Sequence, residues 1–275
     1  AQPIIRLASG TPGLQGYYFY DGIAKVNHRF NDRNRLYLSF YGGNDKFYSN
    51  LKYEYVDATG SYVSNNKSRL GWGNTIAALR WNHLFSDKLF GNLSATYSTF
   101  NFGISDEQKV KQTVIGQTSD SRFAYGYDSG IRDLGLKADL DWYASPRHLV
   151  RLGGYGTRHR FVTGVSRLIS ETPDFKIDTL IGIPPIHSWE AGIYLEDDFM
   201  LSDRQKVNVG LHGSASWVEG RFYRSLQPRL SYRLMLDANW AAKASFTSMY
   251  QYIHLLTNSG VGLPTDLWVP STARI

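Results

Sequence analysis

Leu134-Gly135-Leu136-Lys137-Ala138-Asp139-Leu140-Asp141-Trp142 alternates without a break. In an extended chain successive side chains point to opposite sides, so Leu134, Leu136, Ala138, Leu140 and Trp142 share one face and Gly135, Lys137, Asp139 and Asp141 the other. No helix segregates that pattern, because a helical path scatters the charges around its circumference. Residues 207–217 repeat it: Val207, Val209, Leu211, Ala215 and Trp217 alternate with Asn208, His212, Ser214 and Ser216.

The same period marks residues 18–30 and 36–41, and further strands are expected at 75–85, 89–102, 148–161, 189–200, 227–234 and 240–251. That makes about ten strands, many longer than the ~5–6 residues usual in globular sheets and close to the ~9–11 that cross a bilayer when tilted. Three of the intervening turns are near copies: Phe30-Asn31-Asp32-Arg33, Phe85-Ser86-Asp87-Lys88 and Leu201-Ser202-Asp203-Arg204. Asn, Asp and Ser close tight turns through their own backbone hydrogen bonds. With Ala144-Ser145-Pro146-Arg147 and Asp237-Ala238-Asn239, the turns recur at about 55, 58, 58 and 34 residues, the mark of a repeated hairpin.

Between the tight turns lie polar and aromatic stretches at 44–73, 103–130, 162–187 and 218–225, which read as long loops. Short turns at one end and long loops at the other are the asymmetry of an outer-membrane barrel, and Phe30, Phe85, Phe90, Trp142, Tyr143, Phe199 and Trp240 fall where an aromatic girdle belongs. The expected fold is therefore all-β, an antiparallel up-and-down transmembrane β-barrel of about ten strands, belonging to a larger barrel, in the bacterial outer membrane. A soluble sandwich or propeller has shorter strands and no such division of its turns.

Composition fits that reading. The 275 residues include 19 Tyr, 14 Phe, 7 Trp and 26 Gly, yet mean hydropathy is only −0.35. Barrel strands show lipid only alternate residues, so a hydrophilic average does not exclude membrane insertion. No uncharged apolar run approaches the ~18 residues of a spanning helix. The absence of cysteine removes thiolate metal sites and cysteine nucleophiles. The net charge of +6 is spread along the chain without a basic run, which speaks against nucleic acid and suits a pore lining or lipid phosphates.

Two stretches resemble the barrel of TonB-dependent receptors of Bacteroidetes-type bacteria. One runs from Tyr17-Tyr18-Phe19-Tyr20-Asp21 to Leu36-Tyr37-Leu38-Ser39-Phe40-Tyr41-Gly42-Gly43-Asn44-Asp45-Lys46-Phe47. The other runs from Gln227-Pro228-Arg229-Leu230-Ser231-Tyr232 to Trp268 and includes Gln251-Tyr252-Ile253-His254-Leu255-Leu256-Thr257-Asn258-Ser259-Gly260 and Leu263-Pro264-Thr265-Asp266-Leu267-Trp268-Val269-Pro270. The resemblance implies uptake of a nutrient or chelate through a 22-stranded barrel around a plug on which the TonB system pulls. Residues 1–275 are then expected to be a partial barrel domain, with the plug domain absent. The partners implied are outer-membrane lipid, an extracellular substrate and the TonB system acting through that plug.

Substrate contact is expected from the long-loop aromatics Tyr48, Tyr53, Tyr55, Tyr62 and Trp72, together with Gln251, His254, Asp266 and Trp268, because aromatic faces with a few polar groups suit glycans, peptides or chelates. Residues 251–270 read as an ordered extracellular loop. A small passive pore or adhesion barrel is the alternative. A hydrolase built on Ser214, His212 and Asn208, which share a strand face, is a third reading. No cofactor or metal site is expected: the histidines lack ligand spacing, and Glu196, Asp197 and Asp198, as strand neighbours, face alternate sides.

Overall fold

A computed structural model describes residues 13–256 and 267–272. The chain is an antiparallel meander of β1 (Gly13–Asn31), β2 (Asn34–Asp57), β3 (Gly60–Ser86), β4 (Leu89–Val114), β5 (Gln117–Ser145), β6 (His148–Thr172), β7 (Phe175–Ile181), β8 (Ile186–Ser202), β9 (Gln205–Val218), β10 (Arg221–Met235) and β11 (Ala241–Thr247). These form one 11-stranded sheet in chain order, except that β7 pairs only with the upper end of β6. No pairing joins β1 to β11 among the described residues, so the wall is open. A separate hairpin, β12 (Ile253–Leu256) and β13 (Leu267–Pro270), follows.

All ten expected strands are present. The register is fixed at one end by the foreseen turn chemistry: the side chains of Asn31, Ser86, Ser145, Ser202 and Asp237 each accept a hydrogen bond from the backbone N–H two residues on, at 2.7–3.4 Å. The opposite end uses different turns. Ile115-Gly116 and Glu219-Gly220 have positive φ at both positions, the backbone that matches strand twist in two-residue hairpins. At Asp57 the carboxylate accepts from the N–H groups of Thr59 and Gly60 at 2.7 and 3.0 Å.

The expected long loops are corrected. Residues 44–73 and 103–130 continue the ladder without a gap until Asp57 meets Gly60 and Val114 meets Gln117, so β2 to β6 reach 24 to 29 residues. The span 162–187 is largely the β6–β7 hairpin, and 218–225 holds only a two-residue turn. These segments keep β-forming Tyr, Val and Thr but lose alternation because both faces of a projecting hairpin meet water. The last strand also ends at Thr247, short of residue 251.

One sheet has two unlike sides. Cross-strand partners share a face, so the pairings Leu136–Ala95, Leu140–Gly91, Val209–Leu230 and Leu211–Leu195 place these apolar residues together on the outer side. Leu134, Leu136, Ile193, Leu195, Val209, Leu226 and Leu230 are each more than half exposed. A continuous apolar face of this extent requires lipid or protein cover. Lys137, Asp139, Asn208 and His212 fall on the other side, as their parity requires. That inner side carries a small core: Phe102, Phe161 and Val218 from the wall, with Tyr252 and Val269 from the C-terminal segment, are all nearly inaccessible.

Candidate functional site

The inner face of β4 to β10 is a charge-paired polar lining. Near the tight turns Arg151 lies 3.3 Å from Glu196, 3.0 Å from Asp198 and 3.7 Å from Asp141, and Lys206 lies 3.1 Å from Asp198. One level up, Tyr194 donates to Asp139. Above that, Tyr155 donates to Glu190 at 3.0 Å, and the buried His159 places Nδ1 2.8 Å from Asp133. Alternate residues of neighbouring strands build this column, since Tyr155 pairs with Lys137 and Gly192, and His159 with Asp133 and Ser188. Every strand contributes polar groups here because each outward apolar residue hands the next position inward.

The lining retains unspent hydrogen-bonding capacity. His159 Nε2, His212 Nδ1, Tyr223 Oη and Arg229 Nε are buried without a hydrogen-bond partner among the described residues. His159 Nε2 stands 3.9 Å from Glu190, beyond hydrogen-bonding reach. The ring of His212 lies 5.9 Å from that of Tyr155. His159, Tyr223 and Arg229 are not among the site residues read from the sequence, and His212 enters there only beside Ser214 and Asn208; their inward parity is legible in the sequence, but the strand register that gathers them on one lining is not.

The C-terminal segment folds back onto this lining. Tyr252, 6% exposed, has its hydroxyl 3.1 Å from Ser214 Oγ and donates to Ser225 Oγ at 3.0 Å. Gln227 donates to both serines at 2.8 Å and accepts from the Tyr250 N–H at 3.4 Å. Strand β13 packs against β5 and β6. Residues 251–256 and 267–272 are therefore an internal strap across the wall, which replaces the expected extracellular loop. Burial of Tyr252 and Val269 gives the physical reason: the apolar side chains find cover on the inner face.

The expected contact residues fall into separate groups. Tyr55 pairs with Tyr62 near the tip of the β2–β3 hairpin, with Tyr53 two residues away, and all three project to the inner side. Trp72 lies lower on that side, opposite Asp45 and Phe102. Tyr48 faces outward, its ring 6.3 Å from that of Tyr18. Gln251, His254 and Trp268 belong to the strap: Gln251 donates to the Ile253 carbonyl, His254 Nε2 is 2.8 Å from Ser271 Oγ, and Trp268 pairs with Leu255. Asp266 lies outside the described residues. Ser214 is engaged by Ser225, Gln227 and Tyr252, and no hydrogen bond joins it to His212. Glu196 and Asp198 face inward to Arg151 while Asp197 meets His148 on the outside, and no cluster of three metal-binding side chains occurs among the described residues.

No known protein family and no curated protein sequence matches the chain. Among solved structures it is similar to FpvA of P. aeruginosa, in a complex with a heterologous pyoverdine and iron, with TM-score 0.48 and 10% identity over 90% of this chain and 42% of that one. It is also similar to BauA, the ferric preacinetobactin receptor of Acinetobacter baumannii, with TM-score 0.36 and 11% identity over 84% of this chain and 46% of that one. The translocator domain of the autotransporter NalP from Neisseria meningitidis gives TM-score 0.29 and 9% identity over 90% and 86%. The chain spans less than half the length of the first two.

Proposed function

We propose that this chain is part of the wall of a bacterial outer-membrane receptor of the TonB-dependent kind, through which a nutrient or chelate is taken up. The observation that carries the reading is the two-sided sheet: alternate residues of long, tightly connected strands give an apolar outside and a charge-paired inside. The stretches at 17–47 and 227–268, which resemble that family, supply the receptor element. Tyr53, Tyr55, Tyr62 and Trp72 form the inward aromatic contact for substrate, and Gln251, His254, Asp266 and Trp268 of the C-terminal stretch supply further contacts. Coupling to the TonB system runs through a plug domain lying outside these residues.

The experiment is uptake in the native bacterium. Deleting the gene should abolish accumulation of one supplied class among iron chelates, glycans and peptides, and an uncoupler should lower wild-type uptake to the level of the deletion. Uptake that survives the uncoupler would identify a passive pore. Replacing Tyr55, Tyr62 and Trp72 together by Ala should weaken uptake at unchanged surface abundance.

A further inference from the structure

The outer side of the wall changes character two residues above Leu134. A single row of register partners crosses the sheet there: Thr99 pairs with Arg132, Arg132 with Arg160, and Arg160 with His187. Directly opposed strand residues hold their Cβ atoms about 4.5–5.5 Å apart, and like charges so placed repel. No carboxylate forms an ion pair with Arg132 or Arg160 among the described residues, whereas Arg122, Arg151 and Arg167 all have acidic partners. Just below, Arg158 pairs with Trp189, its guanidinium 5.7 Å from the indole ring, and Trp189 leads through Trp217 to Phe222 in an exposed aromatic row. Three arginines thus stand without counter-charge at the upper rim of the apolar band, on the side that the membrane reading gives to lipid.

Beside them the outer surface is hollowed. Gly73, Asn101 and Gly130 follow one another across β3, β4 and β5, with Gly71 and Gly103 in the row above. Where side chains would stand, a recess of about 710 Å³ remains, with Asn44, Lys46 and Asn101 on its walls and Tyr20 at its edge. Filling it is obstructed at two points: a Cβ on Gly73 would come within 2.5 Å of Asn44 Nδ2, and one on Gly130 within 2.5 Å of the Phe100 carbonyl. Asp128, on β5 four residues from Arg132, borders the recess at its β5–β6 end, two rows above the Arg132–Arg160 pair.

We propose that Arg132, Arg158 and Arg160 bind the phosphate of a phosphorylated lipid headgroup in the outer leaflet, whose polar body occupies the adjoining recess. Guanidinium pairs on phosphate are bidentate and strong where water is scarce, and the anion relieves the Arg132–Arg160 repulsion. The level is right for a headgroup, since aromatic side chains gather at the same height. The inference rests on the membrane-wall reading given above.

The test uses the full-length gene product, purified in detergent and stripped of lipid, and titrated with bisphosphorylated lipid A, with the same glycolipid after phosphate removal, and with inorganic phosphate. The phosphorylated lipid should bind at least about tenfold more tightly than the dephosphorylated one. Arg132→Gln with Arg160→Gln should erase that preference, whereas Arg132→Lys with Arg160→Lys should keep most of it; Arg158→Gln alone should give an intermediate loss, and it stands in for the double variant if that one does not insert. Equal binding of the two glycolipids, or a preference undiminished in the Gln variants, would overturn the proposal, and so would full competition by inorganic phosphate at the lipid's concentration. Release of the protein from membranes without detergent would instead overturn the wall reading itself, and the lipid site with it.

Discussion

His159 Nδ1 lies 2.8 Å from Asp133 on the inner side of the wall, while the residues flanking each in sequence, Arg158 and Arg160 beside His159 and Arg132 beside Asp133, point outward. A slip of one residue in either β5 or β6 would turn that strand's two sets over, placing the carboxylate or the buried imidazole on the outer face. The His159–Asp133 contact therefore helps hold the register. In a double-mutant cycle, His159→Ala and Asp133→Ala should each destabilise the fold, with a coupling of about 1–3 kcal/mol by urea unfolding in lipid vesicles. Strictly additive effects would show that the contact contributes nothing.

Tyr252 fastens the strap through its hydroxyl, which meets Ser214 and Ser225. Tyr252→Phe keeps the ring and loses these bonds, and should cost about 1–2 kcal/mol. Tyr252→Ala also empties a buried site and should cost about 3–5 kcal/mol, with protease cleavage appearing first between residues 248 and 256. Protection of that segment equal to wild type in both variants would mean that the strap is held elsewhere.

The projecting β6–β7 hairpin is clasped by exposed ion pairs. The hydrogen bonds from Arg167 hold the Asp178 carboxyl below its ordinary 3.8, and the bond from Lys176 holds Glu171 below 4.5. For groups whose folded values are depressed, the stabilisation is present above the ordinary value and is lost as pH falls through the depressed one. Carboxyl NMR titration should give midpoints below 3.8 and 4.5, and amide protection in β7 should fall at still lower pH. Midpoints at or above those values would show that the pairs do not form in solution. Because both are exposed, salt should weaken the effect.

Asp87 belongs to the tight-turn end, and Tyr55 to the far hairpin tip. Single cysteines at the two positions should be labelled from opposite sides of the membrane by an impermeant maleimide: Tyr55→Cys in intact cells, Asp87→Cys only after the outer membrane is opened. Labelling of both in intact cells would contradict the orientation.

Much of this architecture is legible in the sequence wherever one face of a strand is apolar. Residues 134–142 and 207–217 declare both their conformation and their facing, and Asn31, Ser86 and Ser202 declare the turns. Residues 44–73 and 103–130 do not, because a hairpin wet on both sides carries no alternation, and only its ladder identifies it. The strap is hidden for another reason: its short strands gain their stability from Tyr252 and Val269 meeting the wall, which is not a local property. The opposition of Arg132 and Arg160, 28 positions apart, is likewise a matter of register. So is the column of Tyr155, His159 and Glu190, whose members come from strands that no local pattern aligns.

The central claim is that the apolar side of the sheet faces lipid. A single-cysteine scan over Leu134 to Trp142 in the full-length protein, each site carrying a fluorophore in vesicles with a lipid-borne quencher, measures this position by position. Strong quenching at 134, 136, 138, 140 and 142, with weak quenching and water accessibility at 135, 137, 139 and 141, is the predicted result. Uniform quenching along the segment, or alternation in the opposite phase, would contradict the account.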